Sequence, residues 1–111
     1  MTINWNNFYE KYPGLGGELG GYFHDTETVD DESNARNLRT DLTPDDRIDL
    51  LRELMGDAHK LMANIDDDWQ AMAASANRQI YNVADARAWL MRIMVVWQEE
   101  LTRLQSNGSK S

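Results

Sequence analysis

Cysteine does not occur in this chain of 111 residues, which excludes a disulfide framework, a thiol nucleophile and a thiolate metal site. Histidine occurs twice, as His24 and His59, too far apart and without the HExxH spacing of a metal-binding helix. The glycines of 14–21 are followed by no lysine and preceded by no strand, so they make no phosphate loop. The longest apolar run, Ala88 to Trp97, contains Arg92 and is far short of the roughly 20 residues that a membrane span needs. The opening Met1-Thr2-Ile3-Asn4-Trp5 lacks the basic and apolar regions of a signal peptide. These absences lead us to expect a soluble cytoplasmic protein that is not an enzyme and carries no metal or cofactor. One acid–base pair is available for weighing: His24 beside Asp25. Sequence neighbours seldom share a catalytic task unless a turn brings them together.

What the chain has in excess is negative charge. Lys and Arg number 11 against 19 Asp and Glu, a net charge of −8. Residues 25–49 hold nine of the acids (Asp25, Glu27, Asp30, Asp31, Glu32, Asp41, Asp45, Asp46, Asp49) against three arginines. A single-sign field of this kind repels phosphate backbones and steers cationic partners, so a basic protein is expected as partner rather than nucleic acid or a membrane.

Hydrophobic spacing places the elements. Trp5, Phe8, Tyr9 and Tyr12 fit one helix face up to a turn at Pro13-Gly14. Leu15, Leu19, Tyr22 and Phe23 keep helical spacing, but Gly16, Gly17, Gly20 and Gly21 each cost about 1 kcal/mol against alanine, so this element forms only when packed on a neighbour. Residues 24–43 read as an acidic loop, with Asp30-Asp31-Glu32-Ser33-Asn34 solvated and one or two helical turns over 35–39; a connection this long is usually functional. Thr43 caps a helix over 43–65, with Pro44 at its first position and a stripe of Ile48, Leu51, Leu54, Met55, Ala58, Leu61, Met62 and Ile65. His59 falls at the rim of that stripe, where a hydrogen-bonded structural role is expected. Asp66-Asp67-Asp68 lacks the spaced oxygens of a calcium loop; Asp66 or Asp67 caps the next helix, which runs towards Ile80. Asn82 ends that helix or caps the last one, over 83–105, whose stripe of Ala86, Leu90, Ile93, Trp97, Leu101 and Leu104 is widened by Trp89, Met94 and Val96. A helix this apolar is central in a bundle. The expected fold is therefore all-α: one small helical domain over 1–105, three longer helices with one or two short N-terminal ones, and a flexible polar tail at 106–111.

The stretch Leu19-Gly20-Gly21-Tyr22-Phe23-His24 joins the aromatic N-terminal part to the acidic segment. By physics alone it reads as packing. Together with Tyr12-Pro13-Gly14-Leu15, however, it resembles the opening of the immunity proteins of contact-dependent growth inhibition systems, with a Tyr-Pro-x-Leu step followed by Gly-Tyr-Phe-His and an acidic residue. Members often carry Gln-Asp after the histidine, where this chain has Asp25-Thr26. The resemblance covers roughly residues 8 to 25. It implies a protein of the bacterial cytoplasm that binds the C-terminal toxin domain delivered by a neighbouring cell and blocks its active site; many such toxins are nucleases with basic clefts. On this reading Asp25, Glu27, Asp30, Asp31 and Glu32, backed by Asp45, Asp46 and Asp49, are the expected toxin contacts. Tyr12, Pro13, Leu15, Gly20, Gly21, Tyr22, Phe23 and His24 are the scaffold that aims them. The alternative from another class is a small acidic adaptor that docks a partner helix on the Trp89/Trp97/Met-rich helix. Neither reading sets the oligomeric state. The charge pattern predicts that reversing Asp30, Asp31 and Glu32 to lysine weakens binding of the partner without unfolding the protein, measured by titration calorimetry alongside circular dichroism.

Overall fold

The computed structural model describes residues 5–24 and 30–108, with side chains from 8 to 24 and from 30 to 106. Among the described residues there are six α-helices, one π-helical turn and no strand. They are α1 (Trp5–Lys11), α2 (Pro13–Glu18) running into the π turn Leu19–Phe23, α3 (Asp31–Asn37), α4 (Pro44–Ala63), α5 (Ile65–Ser75) and α6 (Val83–Gly108). The all-α expectation holds, and no described helix is long and apolar enough to cross a membrane.

The two longest helices, α4 and α6, pack together because each buries a continuous stripe. Leu51, Leu54, Met55, Ala58 and Leu61 line α4; Ala86, Leu90, Ile93, Trp97, Leu101 and Leu104 line α6, flanked by the buried Trp89, Met94 and Val96. Thr43 caps α4 by accepting the Asp46 N–H at 3.2 Å, with Pro44 opening the helix, as its residue types require. α3, α4 and α5 all pack on α6, which makes it the central helix. It runs on to Gly108, three residues beyond the expected end, so residues 106–108 are helical.

Three boundaries differ from the sequence expectation, each for a local reason. Pro13 opens α2 and makes no turn; the chain breaks at Tyr12 alone (φ −133°, ψ 67°). The Gly14 and Leu15 N–H groups then both donate to Oδ2 of Asp57 on α4, at 3.0 Å each, so the cap of α2 comes from another helix. α5 starts at Ile65 with Asn64 before it, leaving all three aspartates of 66–68 inside its first turn. It stops at Ser75 rather than near Ile80. Asn77 takes a left-handed φ of 56°, its N–H bonds Ala74 O, and the Arg78 N–H reaches back to Ala73 O at 2.9 Å. This is a Schellman ending with asparagine in the position glycine usually takes.

The N-terminal helices depend on packing, as their glycines demand. Phe8, Tyr12, Leu15, Leu19 and Phe23 are buried in the common core. The π turn, closed by the His24 N–H onto Leu19 O, brings Leu19 and Phe23 to the same buried side. Gly16 and Gly20 lie beneath Tyr9 of α1: a Cβ on Gly16 would sit 3.2 Å from the Tyr9 ring, and one on Gly20 would collide with the Tyr9 hydroxyl. Gly17 and Gly21 face open space. The four glycines therefore separate into two pairs. Gly17→Ala is expected to stabilise the protein by about 0.5–1 kcal/mol, the helix-propensity difference. Gly20→Ala is expected to gain nothing, because Tyr9 must leave its seat. Urea unfolding of both variants checks this.

Candidate functional site

The acidic segment divides once its side chains are placed. Asp30 is the N-cap of α3: its carboxylate accepts the Ser33 N–H and the Ser33 hydroxyl, both at 2.8 Å. Residues 30–34 are thus a capped helix start with Asn34 buried, not a solvated loop. The backbone N–H of Ser33, with its hydroxyl, holds the exposed Asp30 carboxyl below the usual carboxylate range.

Asp31 points the other way. Its Oδ1 meets Arg78 Nη2 at 2.7 Å and Nε at 3.0 Å, and its Oδ2 accepts the Trp89 indole N–H at 2.6 Å. Arg78 also donates to Ala76 O at 2.7 Å. The Asp31 and Arg78 side chains keep only 21% and 12% of their exposure. Asp31 therefore ties α3 to α6 and to the turn that ends α5, and its expected role as a free contact is corrected: both oxygens of this half-buried carboxylate are bonded within the protein. Its neighbour Glu32 is exposed, with Arg92 no closer than 4.0 Å.

The other end of α3 is held equally firmly. Trp97 donates its indole N–H to Ala35 O at 3.1 Å. Arg47, buried on α4, donates to Arg36 O at 2.7 Å and Leu38 O at 2.9 Å, and pairs with Glu100 at 2.8 Å. Glu100 also accepts from Arg103 at 3.0 and 3.1 Å. The Arg103 hydrogen bonds, joined by those of Arg47, pull the Glu100 carboxyl down to about 2, against the opposing effect of burial. Sequence reasoning missed this group. The signal was there, since Arg47 sits four residues before Leu51 and Glu100 three after Trp97, on the buried stripes.

Within the stretch 12–24, Tyr12, Leu15, Leu19 and Phe23 are internal. The Tyr12 hydroxyl donates to Asp68 Oδ2 at 2.6 Å, Lys11 meets Asp68 at 3.2 Å, and Lys60 stands 5.8 Å from the Tyr12 ring centre. Burial first, then Asp68, pushes the Tyr12 phenol well above its ordinary pKa. Phe23 fits edge-on between Trp89 and Trp97, with ring centres 6.1 and 6.3 Å away, and against Tyr22 at 6.0 Å. Leu15 is buried; Pro13, Gly21 and His24 are exposed. Asp68 is the aspartate of the triplet that turns inward, while Asp66 and Asp67 stay exposed.

Asp45, Asp46 and Asp49 occupy the first two turns of α4 and are all exposed. Asp41 is exposed but held by Arg39, with Nε–Oδ1 at 3.0 Å and Nη2–Oδ2 at 3.2 Å. Of the described acids in 30–49, those exposed and not held by a close arginine are Asp30 and Glu32 at the start of α3 and Asp45, Asp46 and Asp49 at the start of α4. Asp25 and Glu27 lie outside the described residues, and with Asp25 the His24–Asp25 pair. His59 is exposed on α4. Trp89 and Trp97, expected as walls of a docking groove, are 5% and 0% exposed; both indoles fill the core and serve α3. Among the described residues, no three His, Cys, Asp or Glu side chains gather as metal ligands would.

Compared with protein-family models, with curated proteins and with solved structures, the chain matches none.

Two predictions follow from this geometry. Asp31→Lys is expected to destabilise by about 3 kcal/mol, because it strands Arg78 and the Trp89 indole and adds a like charge, so the triple reversal of Asp30, Asp31 and Glu32 does not leave the fold untouched as the sequence suggested. Glu32→Lys should stay within about 0.5 kcal/mol, so thermal unfolding of the two variants separates the carboxylates. Glu100, whose folded-state pKa is depressed, contributes stability that is complete above the ordinary carboxylate range and is lost as pH falls towards 2. Glu100→Gln should therefore be less stable at neutral pH, and its deficit should shrink on acidification, measured by urea unfolding at pH 7, 4 and 3.

Proposed function

We propose that this chain is an immunity protein that binds the C-terminal toxin domain of a contact-dependent growth inhibition effector and covers its active site. The observation that carries the reading is the opening Tyr12-Pro13-Gly14-Leu15 followed by Leu19-Gly20-Gly21-Tyr22-Phe23-His24. The distribution of charge supports it. Glu32 has only a long, exposed contact with Arg92 at 4.0 Å, and Asp45, Asp46 and Asp49 are exposed, whereas Asp31 and Asp41 are closely paired. Such a surface presents carboxylates to a cationic cleft of the kind a nuclease uses for phosphates. Complementary charge of this kind raises the association rate and selects the partner, while a few buried anchors supply most of the affinity. The protein acts by occupancy, as an inhibitor without catalysis of its own, in the bacterial cytoplasm.

With Asp31 assigned to the scaffold, the contact set becomes Asp30, Glu32, Asp45, Asp46 and Asp49, together with Asp25 and Glu27. The first test is a pull-down with this protein as bait from the strain that encodes it. The expected catch is the C-terminal fragment of a very large secreted protein; an unrelated cytoplasmic protein would overturn the reading. With the toxin domain in hand, Asp45→Asn/Asp46→Asn/Asp49→Asn should weaken binding about tenfold at low salt and flatten its salt dependence. Unchanged binding by this folded variant would remove α4 from the interface.

A further inference from the structure

On the outer side of α6 an uncharged stripe runs for three turns between the exposed Asp85, Arg87 and Arg92. Ala84, Ala88, Met91 and Val95 recur at steps of four, three and four, and all four are exposed, Met91 by 49% and Val95 by 51%. This is the spacing of a coiled-coil seam, on a side of α6 that no other described helix covers. Beyond it, Gln98 and Thr102 continue the line but bond to each other, Thr102 Oγ donating to Gln98 O at 3.0 Å. Along the α3 flank of the seam stand Asp85, Arg92 and Glu99, seven residues apart and alternating in sign. Glu32 and Arg36 of α3 lie beyond them, opposite Arg92 and Glu99 at 4.0 and 3.7 Å. On the other flank Arg87 is taken by Asp66 of α5 at 3.4 Å.

We infer that this face binds a second copy of the same chain, with the two α6 helices antiparallel, Met91 over Ala88 and Val95 over Ala84 of the other copy. That register sets a large side chain against a small one in every layer. It also brings Asp85 beside Arg92 of the other copy, and by symmetry does so twice. The alternatives are worse. Opposing Met91 with Val95 sets Arg92 against Arg92 and Asp85 against Glu99. Sliding further pairs Arg92 with Glu99 but places Val95 on Gln98 and Met91 on Thr102, with Glu99 already held by Arg36. Parallel pairing sets Arg87 against Arg92. The argument rests on these residues alone and is independent of the immunity reading.

One helix pair is a small interface, so the dimer is weak and forms at the concentrations where small contacts of under about 1,200 Å² hold. Sedimentation equilibrium of the full chain from about 5 μM to about 500 μM should show the apparent mass rising towards twice the monomer, in the range expected for a weak complex. Val95→Glu, at an exposed position, should keep the helical circular dichroism and abolish the rise. Arg92→Asp and Asp85→Arg should each weaken association about tenfold, from two attractive pairs made repulsive. The double variant should restore it, since Asn82 still caps the backbone N–H of residue 85 and only the Asn82–Asp85 side-chain bond is lost. A monomer throughout, or association unaffected by Val95→Glu, overturns the proposal. Association that responds to Arg92 but not to Asp85 overturns the register.

Discussion

Two indole N–H groups, eight residues apart on α6, fix the seven-residue helix α3: Trp89 bonds Asp31 at its start and Trp97 bonds the Ala35 carbonyl near its end. A helix so short has no stability of its own in water. Its terminal groups must be met by something, and here they are met by side chains that are themselves core residues. Arg47 completes the arrangement from α4, taking two carbonyls at the end of α3 and balancing its buried charge on Glu100. Phe23 fills the space between the two tryptophans, so the N-terminal segment closes the same site from the other side. A small set of hydrogen-bonded core groups thereby joins four parts of the chain.

The N-terminal module shows the complementary device. Its glycines make it a poor helix in isolation, and two of them supply the space into which Tyr9 lies. Capping comes from outside, through the Asp57 carboxylate on the first N–H groups of α2. Tyr12 is bound to Asp68, and Lys60 reaches the Lys11 carbonyl. Tyr12, Leu15, Leu19 and Phe23 therefore act within the fold.

Charge has two separate functions in this molecule. Asp31, Asp57, Asp68 and Glu100 are internal fasteners whose partners are donors of the same chain, and losing one leaves a buried or half-buried donor unsatisfied. Asp30, Glu32, Asp45 and Asp46 favour helix starts through the helix dipole, Asp49 lies a turn further in, and all five are exposed, although both Asp30 oxygens also serve Ser33. The second group can meet a cationic partner without loss to the fold. The α6 seam is apolar and locally self-complementary, and it borders the acidic surface at Glu32, which stands 4.0 Å from Arg92.

Composition and period were enough to establish an all-α chain, the positions of α4 and α6, the cap at Thr43 and nearly all of the core, because burial follows apolar spacing and capping follows residue chemistry within a few positions; for Asn82 they left two roles open, and the Asp85 N–H on its Oδ1 makes it the cap of α6. The end of α5 at Asn77 and the start of α2 at Pro13 were local signals that a different reading outweighed. What only the tertiary structure decided is which charges are interior. Asp30, Asp31 and Glu32 are alike in sequence, yet one caps, one is bound by Arg78 and Trp89, and one is exposed. That difference depends on groups 47 and 58 residues away in the chain, and no local pattern carries information over such distances.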